Sequence, residues 1–128
     1  MISSKLSIAD FVSILAISEA IIKLAKTINA KAIVAETKSG LTANHIAAKR
    51  VDIPLIAVTN DERTVNQLAI VYGVEPYLRP AEKKAANKLT DWLRDSRVFN
   101  KGDIVVTVSG KYPGVVGTTD TIKVRMLE

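Results

Sequence analysis

Hydrophobic and polar residues form two patterns along the chain, helical spacing and short apolar runs. These patterns alternate, and they predict alternating helices and strands. Apolar residues spaced close to the helical period begin after Ser7 or Asp10 and continue to about Ile28, which predicts a long amphipathic helix. Short runs of β-branched and small apolar residues follow, first at residues 31–35 and then at 55–58. Such runs are typical of strands that are buried on both faces of a sheet.

The same alternation continues to the end of the chain. The remaining predicted elements are helices over 42–50, 61–72 and 80–96 and strands over 74–78, 104–108 and 121–127. Strands that alternate with helices pair in parallel through right-handed crossovers, whereas the last two strands, joined without a helix, should pair antiparallel. The sequence therefore predicts an α/β fold: a three-layer α/β/α sandwich with a mixed sheet of about five strands, mostly parallel, the last antiparallel. Residues 1–128 show no linker and are expected to form one domain.

Composition narrows the function classes. The chain has no cysteine, which excludes disulfides and thiolate metal sites and fits a reducing compartment. The first helix is interrupted by polar residues, so neither a secretory signal nor a membrane span is expected, and we predict a cytoplasmic protein without a membrane partner. The net charge of +5 is spread over several helices with five percent aromatic residues, which does not indicate a nucleic-acid partner.

The turn after the first predicted strand carries residue types that bind phosphate. Thr37, Ser39 and Thr42 supply hydroxyls, Lys38 a positive charge, and Gly40 a close approach of the backbone. In α/β sheets such turns lie at the carboxyl ends of strands, where backbone N–H groups and the dipole of the following helix favour an anion. The same residues also suit a plain turn and helix cap, and their chemistry alone leaves both interpretations open.

A second glycine-rich segment follows the strand over 104–108. Gly110, Lys111, Tyr112, Pro113 and Gly114 could close over a ligand, with Lys111 facing a second phosphate. A simple connection between two strands explains the same composition. On the residues alone, the simple connection is the interpretation that we favour.

Catalytic chemistry has little support in the sequence. The single histidine, His45, lies within a predicted helix without an acid or nucleophile at a motif spacing. We find no phosphate-binding P-loop, no nucleophile elbow and no metal-ligand cluster, so no catalytic and no metal-binding residue is predicted. An enzyme acting on a small phosphate ester would have to use Glu36 or His45. Trp92, at helical spacing from Leu89, is expected to pack in the core.

Together these segments carry a resemblance that covers nearly the whole chain in order. The matching stretches are residues 30–34, 37–43, 46–47, 50, 54–59, 67–69, 73–76, 101–103, 113–114 and 117–124. They resemble the C-terminal, regulatory domain of pyruvate kinases. That resemblance implies an intact enzyme of glycolysis that transfers phosphate from phosphoenolpyruvate to ADP in a separate catalytic barrel, with magnesium or manganese and usually potassium. No cofactor is expected in this domain itself.

The absence of a barrel limits what the chain could do alone. A barrel of that kind needs about 250 residues, so this domain is not expected to catalyse the kinase reaction. We expect either a piece excised from a pyruvate kinase, with the barrel as its partner, or a gene that encodes only this domain.

The resemblance also assigns roles to the two glycine-containing segments. It implies that a phosphorylated allosteric effector binds at Thr37, Lys38, Ser39, Gly40 and Thr42, and that the loop from Gly110 to Gly114 closes over it. Many members that bind fructose 1,6-bisphosphate carry a tryptophan and an arginine in that loop, where this chain has Lys111 and Tyr112. A sugar monophosphate or a nucleoside monophosphate therefore suits the site at least as well.

Three functional hypotheses follow from the sequence. The leading one is an effector sensor that biases the arrangement of subunits in an oligomer, because the family pairs these domains partly through the last strand, here residues 122–127. The second is a purely structural subunit-association domain without a ligand. The third is an independent enzyme that acts on a small phosphate ester. A free-standing relative that binds a phosphorylated metabolite is a further alternative.

Overall fold

The computed structural model describes residues 8–37, 40–80, 85–110 and 119–128. Four helices and five strands alternate along this part of the chain. In chain order they are α1 (Ile8–Thr27), β1 (Ala32–Glu36), α2 (Leu41–Ala48), β2 (Leu55–Thr59), α3 (Glu62–Leu68), β3 (Val74–Leu78), α4 (Ala85–Asp95), β4 (Ile104–Gly110) and β5 (Thr119–Met126).

The strands form one sheet in the order β3-β2-β1-β4-β5. The first four strands are parallel, and β5 pairs antiparallel with β4. The expected mixed sheet of five strands is confirmed, including the antiparallel last pair. The sheet grows from β1 outward to β3, and the chain then returns past β1 to add β4, so the order of strands reverses between β1 and β4.

Two hydrophobic clusters, one on each face of the sheet, make up the core. The inner strands are apolar on both faces, as expected for a covered parallel sheet; in β1, Ile33 joins one cluster and Val34 the other. The first cluster includes side chains of α1, α2 and α3, and the second includes side chains of α4. Helices therefore cover both faces, which confirms the three-layer arrangement.

Several helix ends differ from the predicted ones. The third helix ends at Leu68 rather than near Tyr72, because Val71 and Val74 make turn-type hydrogen bonds back to Leu68 and Val71. Gly73, with φ of 84°, still terminates that segment as expected of a left-handed glycine. Among the described helices, none combines the length and the apolar character that a membrane crossing requires.

Candidate functional site

The reversal of strand order between β1 and β4 marks one end of the sheet. Thr37 follows β1 and Gly110 ends β4, so both lie at the carboxyl ends of neighbouring parallel strands. In open α/β sheets a ligand usually binds beyond the carboxyl ends of the strands where the strand order reverses, and we call this place the crevice. The two segments that the sequence assigned to a phosphate therefore begin side by side.

The turn after β1 is held by backbone and side-chain hydrogen bonds. The Thr37 backbone N–H donates to the Val58 carbonyl at 2.8 Å, and the Thr37 hydroxyl accepts from the Gly40 N–H at 2.8 Å. Gly40 is buried, has φ of 82°, and a Cβ at this position would lie 3.2 Å from Leu68 Cδ2. Only glycine combines this backbone conformation with so little space, so the start of α2 requires glycine at position 40.

The start of α2 differs from the starts of α3 and α4. Gly40 occupies the N-cap of α2, and among the described residues no side chain makes a capping hydrogen bond there. In α3 the carboxylate of Asp61 accepts from the Arg63 N–H at 3.0 Å, and in α4 the Glu36 carboxylate accepts from the Ala86 N–H at 3.2 Å. Within the described part of the chain, a protein carboxylate thus meets the positive end of the dipole at α3 and at α4, and none is found at α2.

Glu36, the last residue of β1, lies on the α4 side of the crevice. It accepts backbone hydrogen bonds from Ala85 and Ala86, contacts the Ser109 side chain and feels the positive charge of Lys123. Burial raises the pKa of the Glu36 carboxyl above its ordinary range, although the hydrogen bonds and Lys123 act in the opposite direction. One half-buried carboxylate therefore joins β1, α4, β4 and β5 at the edge of the crevice.

The structure places three residues of the predicted phosphate turn around the start of α2. Thr37 is half-buried after β1, Gly40 is buried at the N-cap, and Thr42 is buried in the first turn of the helix. Gly110, from the predicted effector loop, ends the strand next to them. The other predicted site residues lie outside the described part of the chain: Lys38, Ser39, Lys111, Tyr112, Pro113 and Gly114.

Sequence reasoning misplaced Trp92. The side chain is 50% exposed, so the expected core position is wrong. Leu89 and Leu93, four residues apart on α4, fill the core, and Trp92 is left at the border of that face. There the Arg79 guanidinium lies 5.2 Å from the centre of the Trp92 ring and 5.9 Å from that of Tyr77.

Tyr77 adds a polar contact to this cluster. Its hydroxyl donates to Glu75 Oε1 at 2.7 Å. Burial and the neighbouring Glu75 carboxylate raise the pKa of Tyr77 to about 12, so the phenol stays neutral at physiological pH. Tyr77 lies in β3 and Arg79 directly follows that strand, and their spacing of two residues was the signal that both side chains share a face.

Grooves at the opposite, amino end of the strands suit an anion less well. Two of them, of about 510 and 430 Å³, share Asp52, Ile53 and Pro54 in their walls. The helices point their negative ends toward this side of the sheet, which disfavours an anion there. Within the described ranges, no group of three or more histidine, aspartate or glutamate side chains is placed to hold a metal ion. The carboxyl-end crevice is therefore the stronger candidate.

Known proteins with the same sequence pattern agree with this architecture. Residues 15–125 match the family model described as pyruvate kinase, alpha/beta domain. Pyruvate kinase 2 of Synechocystis is 36% identical over 116 residues, which cover 88% of this chain and 20% of that protein. The pyruvate kinases of Staphylococcus epidermidis and Staphylococcus aureus are 33% and 32% identical over 131 aligned positions, covering 99% of this chain and 22% of each relative.

These matches define which part of the relatives the chain represents. It spans about a fifth of the length of the curated relatives that it matches. The family match includes β1, the turn after it, α2 and the β4–β5 pair, which are the elements that surround the crevice. The chain belongs to the pyruvate kinase alpha/beta domain family.

Proposed function

We propose that this domain binds a phosphorylated small molecule at the start of α2 and acts as the effector-sensing part of a pyruvate kinase. The observation that carries the proposal is the contrast among helix starts. Carboxylates of the protein meet the positive ends of α3 and α4, whereas α2 begins at Gly40 without a side-chain cap among the described residues. A dianionic phosphate at α2 would provide the missing negative charge.

The residue types in the turn suit a phosphate monoester. The Thr37 hydroxyl accepts from the Gly40 N–H, which leaves its own O–H available to donate to a ligand oxygen. Lys38 and Ser39 add a cation and a further hydroxyl in the same turn. In this proposal Lys38, Ser39 and the turn backbone bind the phosphate, and the loop from Gly110 to Gly114 closes over the rest of the effector.

The catalytic reaction belongs elsewhere in this proposal. The chain corresponds to about a fifth of a pyruvate kinase, and the transfer of phosphate from phosphoenolpyruvate to ADP, with its magnesium or manganese and potassium ions, is assigned to a catalytic barrel. The domain contributes regulation of glycolysis because an effector that binds one subunit arrangement more tightly than another shifts the population toward it.

A thermal-shift series tests the effector site. Sugar monophosphates, sugar bisphosphates and nucleoside monophosphates are compared with inorganic phosphate, on the wild type and on Ser39→Asp. A ligand at 100 times its dissociation constant adds about 2.7 kcal/mol to the free energy of unfolding, a rise of several degrees in Tm. Ser39→Asp should abolish that rise, because a carboxylate would face the phosphate.

The matched control is Ser96→Asp, which adds the same charge at an exposed residue just beyond the end of α4. It should leave the rise in Tm unchanged. If Ser39→Asp binds the ligand as tightly as the wild type, the assignment of the turn is wrong. If no phosphorylated compound stabilises the wild type, the effector function itself fails.

Subunit association through β5 is a second function that a specific observation favours. The Leu127 N–H donates to the Asp103 carbonyl. By alternation, the backbone N–H and C=O groups of residues 121, 123 and 125 point toward β4, and those of Ile122, Val124 and Met126 point outward, away from the sheet. In the described sheet β4 is the one strand that pairs with β5, so the outward backbone groups of these three residues have no described strand beside them. An open antiparallel edge of this kind can pair with a second copy, and sedimentation velocity over a range of concentrations measures that pairing.

A further inference from the structure

Glu36 makes hydrogen bonds to α4 and β4 and feels a charge on β5, the described elements on the side of the crevice away from α2. Its carboxylate accepts from the Ala86 N–H at 3.2 Å and from the Ala85 backbone at the start of α4. It also bonds to the Ser109 side chain near the end of β4 and lies within the field of Lys123 on β5. Glu36 directly precedes Thr37, so the residue that holds the start of α4 is adjacent in sequence to the turn after β1.

Helix α4 also contacts β5 at residues further along the helix. The Arg125 guanidinium on β5 contacts Asp91 Oδ1 at 2.6 Å and the Asn87 carbonyl at 3.1 Å, and it also donates to the hydroxyl of the fully buried Thr90. Near the end of α4, Arg94 donates to the Glu128 carbonyl at 2.6 Å. The position of β5 therefore depends on the position of α4.

We infer that Glu36 is a positioning residue that links the turn after β1 to the edge strand β5 through α4. The link consists of two sets of contacts. The Glu36 carboxylate accepts hydrogen bonds from the start of α4, and further along α4 the helix binds the Arg125 guanidinium of β5. Neither part involves α2 or α3, which lie on the other face of the sheet.

This link gives the proposed effector a route to the subunit edge, and in that respect the inference rests on the proposed function. A phosphate at the start of α2 would place a second negative charge at the same end of the sheet as Glu36. Like charges disfavour the ionised carboxylate, so the hydrogen bonds from Ala85 and Ala86 to Glu36 would weaken. The movement that α4 then gains would reach β5 through Arg125.

Hydrogen–deuterium exchange of the full chain without any ligand tests the link. Glu36→Ala removes the acceptor, and we expect exchange to rise about tenfold at the start of α4 and at least threefold at the β4-facing amides of β5. Glu36→Gln keeps an oxygen acceptor but loses the charge, so the same amides should respond to a smaller extent. If Glu36→Ala fails to fold, the change in exchange at α4 and β5 in Glu36→Gln decides whether the link exists.

The matched control is Asp61→Ala, which removes the carboxylate that caps α3 at the same end of the sheet. Exchange should rise in α3 and remain unchanged in β5. The inference is overturned if Glu36→Ala and Glu36→Gln alter only the first turn of α4, or if Asp61→Ala affects β5 as strongly as the Glu36 variants do.

A second arm separates this inference from the proposed function. Inorganic phosphate, added to the wild type, should protect the amides at the start of α2 and raise exchange in β5. If phosphate has no effect while Glu36→Ala still loosens β5, the link stands and the effector site fails. If phosphate protects α2 while both Glu36 variants leave β5 unchanged, the site stands and the link fails.

Discussion

The two edge strands of the sheet, β3 and β5, treat their outward backbone groups in opposite ways. Directly after β3, the Arg79 N–H donates to the Thr59 carbonyl of β2. By alternation, the backbone N–H and C=O groups of residues 74, 76 and 78 point outward, away from β2. Pro76 has no N–H to offer, and the Val74 N–H is used by the Val71 carbonyl. The Leu78 carbonyl accepts from the Arg79 guanidinium at 2.9 Å. The outward side of β3 is therefore largely blocked.

The β5 edge has none of these devices among the described residues. Its outward residues Ile122, Val124 and Met126 are not proline, no described strand pairs with their outward side, and the side chains of Val124 and Met126 are 53% and 62% exposed. Exposed edges invite pairing with another chain, and proteins usually obstruct the edges that must stay single. One blocked and one open edge would limit strand pairing to two copies related by a two-fold axis, whereas two open edges would permit a filament.

At each edge of the sheet an arginine contacts α4, but the two contacts are of different kinds. Arg79, directly after β3, lies over the rings of Tyr77 and Trp92 at the surface. Arg125 on β5 makes charged hydrogen bonds to α4, including one to buried Thr90. An exposed cation–π contact contributes about 0.5–1 kcal/mol, whereas hydrogen bonds to a charged group contribute about 1.5–3 kcal/mol. The open edge is thus the more firmly anchored one.

Replacing the two arginines should produce the largest difference between the edges. Arg125→Ala is expected to lower the free energy of unfolding by about 2–3 kcal/mol, because Thr90 and Asp91 lose a charged partner in a partly buried site. Arg79→Ala removes an exposed contact and should cost about 0.5–1 kcal/mol. Urea denaturation followed by circular dichroism measures both values. Equal losses in the two variants would contradict the proposed difference in anchoring.

The second largest effect concerns association. Val124→Lys places a cation beside its symmetry-related copy when two β5 strands pair, and like charges across paired strands are destabilising. We expect the dissociation constant of the dimer to rise at least about tenfold, which corresponds to about 1.4 kcal/mol. Sedimentation velocity of the wild type and the variant measures the change.

The control for association lies on the other edge. Leu78→Lys is the same kind of substitution at an exposed outward residue of β3, and it should leave the dissociation constant unchanged. A larger effect of Leu78→Lys than of Val124→Lys would show that copies associate through the edge that we describe as blocked.

Much of the fold could be predicted because its signals are local. The apolar runs of β1, β2 and β4 and the missing helix between β4 and β5 predict the mixed sheet directly, and Thr37 and Gly40 predict a turn at the end of β1. The roles of Glu36 and Trp92 could not be predicted in the same way. Each depends on a contact between residues distant in sequence, such as the 50 positions that separate Glu36 from Ala86.

The smallest effect that we predict is a dependence of stability on pH that originates at Glu36. Burial raises the pKa of this carboxyl above its value in the unfolded chain, about 4.3. The folded state therefore binds the proton more tightly, and this contribution to stability is present below about pH 4.3 and is lost as the pH rises through the raised pKa. The free energy of unfolding of the wild type relative to Glu36→Gln should fall across that interval.

The same measurement distinguishes the two edges of the sheet. The positive charge of Lys123 on β5 lowers the pKa of Glu36, so Lys123→Met should move the decline in stability to higher pH. Arg79→Ala removes a charge from the β3 edge, which does not contribute to that pKa, and should leave the profile in place.

Parallel profiles for the wild type and Glu36→Gln would show that the carboxylate does not titrate differently on folding. A shift caused by Arg79→Ala as large as that caused by Lys123→Met would show that Glu36 responds to both edges alike. The open edge alone is expected to be electrostatically coupled to Glu36, because Lys123 on β5 acts on the pKa of this carboxyl, whereas among the described residues no charge on β3 does so.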